Sequence, residues 1–162
     1  MNKLHIPPLD EQAAKTALEH QKILAKPPLA LGKLEPVAIQ IAAMTGNPAP
    51  RLKDKAVVLF AADHHIADHG LSLTSTDVTY IQTRNFLQGG GTINAFTRNA
   101  GARLSVVDVG VNYDFGDLPG LVKRKVMHGA NDFSRGPAMT REQALECLQA
   151  VSHTHLRAHE TV

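Results

Sequence analysis

The chain has 162 residues, 43% hydrophobic and 20% charged, with 17 basic against 15 acidic side chains. That length supports a core able to stand alone, and that composition excludes a disordered chain. A formal charge of +2 makes no case for nucleic acid, and the densest basic run, Lys123-Arg124-Lys125, reads as a solvated face rather than a phosphate track.

The first residues, Met1 to Pro8, lack the apolar core of a signal peptide. No run reaches the length that spans a bilayer. A cytoplasmic protein with no membrane partner is therefore expected. Asp10 can cap a helix over residues 11–25, with Ala14, Ala17, Leu18, Gln21 and Leu24 near helical spacing. Lys26-Pro27-Pro28 ends it, because Pro27 disfavours helical backbone at Lys26. A second helix should start near residues 31–33 and run to Met44, burying Leu34, Val37, Ala38, Ile41 and Ala42. Asn47-Pro48-Ala49-Pro50 is a linker. Residues 1–50 thus form a helical pair, and residues 51–162 form an α/β part.

The α/β part opens with a strand over residues 56–61, Ala-Val-Val-Leu-Phe-Ala. This short, β-branched apolar run ends in a dense polar cluster, Asp63, His64, His65, Asp68 and His69. In open α/β sheets, ligands bind at the carboxyl ends of strands. Ser75 or Thr76 can cap a helix through Val78, Ile81, Gln82, Asn85 and Phe86, which residues 89–91, three glycines, interrupt. Thr92 can cap another short helix, ended by Asn99 or Gly101. Residues 104–111 read as a buried parallel strand, residues 114–120 as a loop, and residues 121–126 as a short strand. Thr140-Arg141-Glu142-Gln143 is a capping box that opens a helix through Leu145, Leu148 and Val151. Cys147, alone in the chain, has no disulfide or CxxC partner and reads as an apolar filler in that helix. The strand–helix–strand order predicts an α/β fold, a partial doubly wound parallel sheet preceded by the helical pair.

Three features bear on chemistry. His65 and His69 are four apart and would share a helical face, with Asp63 and Asp68 as further ligands to a metal. HExxH is absent, however, and Gly70 suggests a loop. The competing readings are that Asp63 and His64 hydrogen-bond the loop backbone at the strand junction, or that they touch substrate directly. No metal is assigned. The glycines of residues 89–91 precede a helix N-terminus, where an anion can bind backbone amides. No Lys-Ser/Thr follows and no GxGxxG is present, so a tight turn and close packing are favoured. Asp108 lies in an apolar strand, where a satisfied structural carboxylate is favoured over a general base.

Lys26-Pro27-Pro28-x-x-Leu31-Gly32-Lys33-Leu34-Glu35 is similar to the KPPGSLGRLE signature of the nicotinate-nucleotide:dimethylbenzimidazole phosphoribosyltransferase family. The resemblance continues through Ala62-Asp63-His64, Gly70, Val78-Thr79-x-x-Gln82-x-x-Asn85, Val107-Asp108-Val109-Gly110-Val111 and Gly136-Pro137-Ala138-Met139-Thr140. It implies transfer of phosphoribose from nicotinate mononucleotide to the nitrogen of 5,6-dimethylbenzimidazole, giving α-ribazole 5′-phosphate for the lower ligand of cobalamin. It implies a homodimer or higher oligomer, small-molecule substrates and no cofactor. It places Thr74 and Gln82 where a hydroxyl and a carboxamide orient the base, beside Asp63 and His64. Both can equally be ordinary polar residues around a helix start.

Three positions depart from the pattern. Leu29-Ala30 stands for Gly-Ser, His65 for the glycine of Asp-His-Gly, and Ser75 for a proline. The resemblance covers the N-terminal half of such enzymes. It implies that the loop for the nucleotide phosphate and the glutamate base lie in the other half, so no catalytic residue is assigned. A short or truncated member, retaining the benzimidazole side, is expected. The alternatives are a non-catalytic aromatic-base-binding or regulatory module, or an inactive fragment. An incomplete sheet would also leave an edge and an apolar face uncovered.

Overall fold

Asp10 opens the first helix, α1 (Glu11–Ile23), its carboxylate accepting the Ala13 amide at 2.9 Å. The computed structural model describes residues 6–75 and 77–160, with the backbone alone for residues 155–160. The chain divides into two units, Asn2–Lys53 and Asp54–Val162. None of the described helices is long and apolar enough to cross a membrane.

In the first unit, α1 packs on α2 (Leu34–Thr45). Small side chains form the contact: Ala13 and Ala17 are buried from α1, and Ala42 and Ala43 from α2. The expected face of α2 is turned by about one residue. Leu34 and Val37 are exposed, while Glu35 is buried. Glu35 is the reason. Its carboxylate accepts Lys26 Nζ at 2.7 Å and the Leu31 amide at 3.2 Å, so the Lys-Pro-Pro stretch folds back onto the helix start. The Lys26 ammonium holds the Glu35 carboxyl below the ordinary carboxylate range, against the effect of its burial. Successive turns through residues 27–34 delay the helix to Leu34. They require φ of +60° at Leu29 and +54° at Gly32. Leu29 is thus a bulky residue in the left-handed region, where its Cβ crowds the following carbonyl.

The second unit is a three-stranded parallel sheet in the order β1 (Lys55–Ala62), β2 (Ala102–Gly110), β3 (Leu121–Lys123). The α/β class and parallel pairing agree with the sequence pattern. Between β1 and β2 run a 3-10 turn (His65–His69), α3 (Val78–Leu87) and α4 (Thr92–Ala100); α5 (Arg141–Glu160) closes the unit. Helices α3, α4 and α5 all pack on the sheet. The core joins Ala61, Val106, Val111, Phe115 and Leu121. Central β2 buries Val106 and Val107, whereas Val57 to Phe60 of β1 are half-buried. Among the described residues, β1 and β3 each pair on one side only.

Several local expectations are corrected. Ser75 does not cap α3 by its side chain: Asp77 precedes the helix with no side-chain cap, and the Ser75 contribution is a backbone carbonyl accepting from Val78. Thr76 lies outside the described residues. Gly91, not Thr92, is the cap of α4, and its amide donates to Asn94 Oδ1 at 3.0 Å. Strand β3 stops at Lys123, although Arg124 and Val126 still donate to the Asp108 and Val109 carbonyls. The capping box at α5 is present, with Thr140 N donating to Gln143 Oε1 and Gln143 N to Thr140 Oγ1.

Asp108 is buried near the end of β2 as a satisfied carboxylate. Its Oδ1 accepts the amides of Gly110 and Val111 at 3.1 and 2.9 Å, and its Oδ2 pairs with Lys125 Nζ at 3.2 Å. Lys125 also donates to the carbonyls of Val111 and Tyr113. No expectation of a general base survives at a carboxylate so occupied.

Two outcomes are expected. Leu29→Gly should raise unfolding free energy by about 0.5–1 kcal/mol, the left-handed strain relieved less the added freedom of the unfolded chain, read as a higher denaturant midpoint. Asp108→Asn keeps an acceptor for both amides but strands the Lys125 charge. It should destabilise by roughly 3 kcal/mol, the lower end for breaking a buried pair because two carbonyls still hold the ammonium. Equal midpoints for Asp108→Asn and the parent would remove the ion pair from this account.

Candidate functional site

The parallel sheet brings the carboxyl ends of β1 and β2 side by side, and residues 128–130 come alongside them. Asp63 binds all three segments. Its amide donates to the Gly110 carbonyl at 3.0 Å, its carbonyl accepts from Ala130 at 2.8 Å, and its Oδ2 accepts from the Asn112 amide at 2.7 Å. Gly129 donates to the Gly110 carbonyl, and His65 to the Ala130 carbonyl. Asp63 therefore holds the strand–loop junction, one of the roles read from its sequence. His64 bridges backbone to Ala130, while its exposed imidazole makes no hydrogen bond among the described residues. It is the histidine of the cluster open to a ligand.

The other members of the cluster face each other or the adjoining loop. His65 Nδ1 lies 3.1 Å from Asp68 Oδ2, and its Nε2 lies 3.3 Å from the His128 carbonyl. His69 Nε2 lies 2.7 Å from Asp132 Oδ2. Asp132 also accepts the Ser134 amide and hydroxyl and pairs with Arg135 Nε at 3.2 Å. The hydrogen bond from His69, then that from the Ser134 hydroxyl, lowers the Asp132 carboxyl to about 2. His65 and His69 turn to different carboxylates. Among the described residues, no three His, Cys, Asp or Glu side chains gather as a metal site.

Thr74 is exposed in the loop before α3, its hydroxyl 3.0 Å from that of Ser72. Gln82 is exposed on α3, and its Oε1 accepts from Asn85 at 3.2 Å. Among the described residues, no hydrogen bond joins Thr74 or Gln82 to Asp63 or His64. A free Nε2 on Gln82 and the Thr74 hydroxyl are groups able to address a flat heteroaromatic ring without adding charge. The glycine run serves packing. A Cβ at Gly90 would stand 2.2 Å from Asn85 Oδ1, and one at Gly91 would stand 2.4 Å from Phe86 Cδ1. With the Gly91 amide occupied by Asn94, an anion finds one donor fewer there.

A hollow of about 200 Å³ is lined by Asp108, Asp114, Phe115, Gly116, Leu121, Lys123 and Lys125. A second, of about 230 Å³, is lined by Arg124, Lys125, Glu146, Gln149, Ala150 and His153. Neither includes Asp63, His64, Thr74 or Gln82. Nothing in the sequence marks Lys125 as the partner of Asp108, or Ala130 and Asp132 as partners of the cluster, since each contact spans residues far apart in the chain. The run Asp132-x-Ser134 is the one local signal, typical of a turn in which Asp accepts the amide two residues on.

The phosphoribosyltransferase family profile, DBI_PRT, matches residues 6–161. The nicotinate-nucleotide–dimethylbenzimidazole phosphoribosyltransferase of Chloroflexus aggregans is 46% identical over 145 residues, 90% of this chain and 41% of that protein. Its namesake in Geobacter sulfurreducens is 45% identical over 142 residues, 88% of this chain and 40% of that protein. The crystal structure of the Thermus thermophilus protein of the same name superposes with a TM-score of 0.89 at 41% identity, covering 94% of this chain and 46% of that one. This chain thus spans less than half the length of the relatives it matches. With a profile that runs over nearly all of it, the chain belongs to this phosphoribosyltransferase family.

Proposed function

We propose that this chain carries the base-binding part of a phosphoribosyltransferase that moves phosphoribose from nicotinate mononucleotide to 5,6-dimethylbenzimidazole. The observation that carries this reading is agreement in both sequence and fold along about nine tenths of the chain with proteins named for that reaction. The chemistry of three exposed side chains supports it. His64 offers an unengaged imidazole, Gln82 an unengaged amide nitrogen, and Thr74 a hydroxyl. An uncharged flat base suits this set, because neutral donors and acceptors orient it without a charge that would need burial.

In this reading Asp63 acts through the backbone. It fixes where β1 gives way to the loop, and so where the His64 ring stands. Catalysis is not assigned to Asp63 or Asp108, whose carboxylates are committed to backbone amides and, for Asp108, to Lys125. The chain is further read as a cytoplasmic protein working as a homodimer or higher oligomer. Exposed Leu71, Leu73, Ile81, Phe96 and Phe133 in the α/β unit are apolar surface that association would cover.

Titration calorimetry of the full chain with 5,6-dimethylbenzimidazole, and separately with nicotinate mononucleotide, tests the first reading. Binding of the base is expected, weakened about tenfold by Gln82→Ala, the worth of about one hydrogen bond. Absence of base binding would sink it, and release of nicotinate by the chain alone would place a catalytic base within these residues. Sedimentation equilibrium tests the second. A concentration-dependent rise in mass is expected, and a strict monomer at high concentration would refute it.

A further inference from the structure

We propose that Asn85 is a positioning residue that turns the amide nitrogen of Gln82 outward, so that the site selects a flat base by a ring nitrogen carrying a lone pair rather than by a ring N–H. The inference rests on the reading of Gln82 as a base contact. Gln82 and Asn85 lie three apart on α3 and share a face, and Asn85 Nδ2 donates to Gln82 Oε1 at 3.2 Å. A carboxamide has one accepting end and one donating end. With the oxygen taken, the Nε2 donors are the end left for a ligand. The sense of that bond is set from the other side. A Cβ at Gly90 would stand 2.2 Å from Asn85 Oδ1 but 3.6 Å from its Nδ2. The glycine Cα–H is thus aimed at the oxygen, a contact that an oxygen accepts and an amide N–H does not. The Gly90 amide also donates to the Asn85 carbonyl at 3.0 Å, which holds the glycine beside that side chain. Gly90 has no positive φ, so its backbone does not demand a glycine; the room that Asn85 occupies does.

The three polar groups offered to a ligand differ in what they can tell apart. The Thr74 hydroxyl and a neutral His64 imidazole can each donate or accept, so neither separates a lone pair from an N–H. Of the three, Gln82 alone has its sense fixed, and Asn85 fixes it. In 5,6-dimethylbenzimidazole one ring nitrogen carries an in-plane lone pair and the other an N–H. A donor at Gln82 takes the first and leaves the second free of Gln82. A ring whose nitrogen only donates would leave the Nε2 group unpaired once water is excluded. That is how a site built around a hydrogen bond rejects an analogue that lacks the partner atom. The ligand class is therefore a flat heteroaromatic with a pyridine-type nitrogen. Asn85 touches no ligand in this account and acts through Gln82.

Two neutral bicyclic probes of similar shape separate the cases: benzothiazole, whose ring nitrogen only accepts, and indole, whose ring nitrogen only donates. Calorimetric titration of the full chain with each gives a ratio of Kd values, and comparing that ratio between variants cancels the probes' difference in hydrophobicity. The parent should favour benzothiazole. Asn85→Asp presents an ionised carboxylate that only accepts, so the Gln82 carboxamide turns round and its oxygen faces the ligand. The ratio should move toward indole by about tenfold, as one hydrogen bond is exchanged for another. Gly90→Ala displaces the Asn85 side chain without adding charge and should shrink the parent's preference. Gln82→Glu, which leaves Asn85 in place but can only accept, should move the ratio in the same direction as Asn85→Asp. A chain that binds 5,6-dimethylbenzimidazole yet keeps the parent's ratio in Asn85→Asp and Gly90→Ala would overturn the role of Asn85 and leave the base-binding reading standing. Binding of neither that base nor either probe would overturn both.

Discussion

The carboxyl end of this sheet hangs on one buried carboxylate. Asp108 accepts the next two amides of its own chain as β2 runs out, and binds Lys125 from the segment after β3. Lys125 in turn holds the carbonyls of Val111 and Tyr113. That pins the path of residues 110–113, and two other features follow from it. The Asn112 amide is held where Asp63 can accept it. The Tyr113 ring stacks on Tyr80 of α3 at 4.4 Å and meets Phe115 edge-on. An ion pair in the interior is weak evidence for stability, since desolvation offsets much of the attraction. Its use here is placement: every acceptor and donor it engages belongs to the turn that brings β1, β2 and the 128–130 segment together.

The site is consequently a product of backbone more than of side chains. Asp63 contributes its amide, its carbonyl and one carboxylate oxygen to three different segments, and the side chains left free for a ligand are those that play no part in that bonding. His64, Thr74 and Gln82 are exposed; the carboxylates of Asp63 and Asp108 are committed. The polar cluster after β1 divides accordingly into residues that build the junction, residues that tie it to the loop, and one imidazole that faces outward.

What was legible in the sequence was what depends on neighbours in the chain. The Asp10 cap, the capping box at Thr140, the apolar strands and the glycine stop after α4 each draw on residues within a turn or two. So does the tight packing of the glycine run, which Asn85 and Phe86 explain. The rest depends on distance. Lys125 as the partner of Asp108, Ala130 as the partner of Asp63, and Asp132 as the partner of His69 bring together residues from 17 to 67 positions apart, and no periodicity encodes them. The turned face of α2 has the same origin. Helical spacing favoured the larger apolar residues, but Glu35 bonds to Lys26 and Leu31, and the small side chains of Ala42 and Ala43 allow close approach to α1.

The departures from the family signature separate by the same physics. Leu29 replaces a glycine at a position whose φ is +60°, so the backbone kept the shape that glycine permits and the side chain took on the strain. Nothing in the helical unit compensates for it by burial, because Leu29 is 76% exposed. His65 also replaces a glycine of that signature, yet its N–H bonds to Ala130 and its ring reaches Asp68 and the His128 carbonyl. One substitution adds only strain, whereas the other adds two side-chain contacts to a backbone bond that a glycine would also make. A fold that tolerates the first is held in shape by other bonds, here those from Glu35 to Lys26 and Leu31. A fold that makes use of the second has gained a side-chain tie between the 3-10 turn and the 128–130 segment that a glycine could not supply.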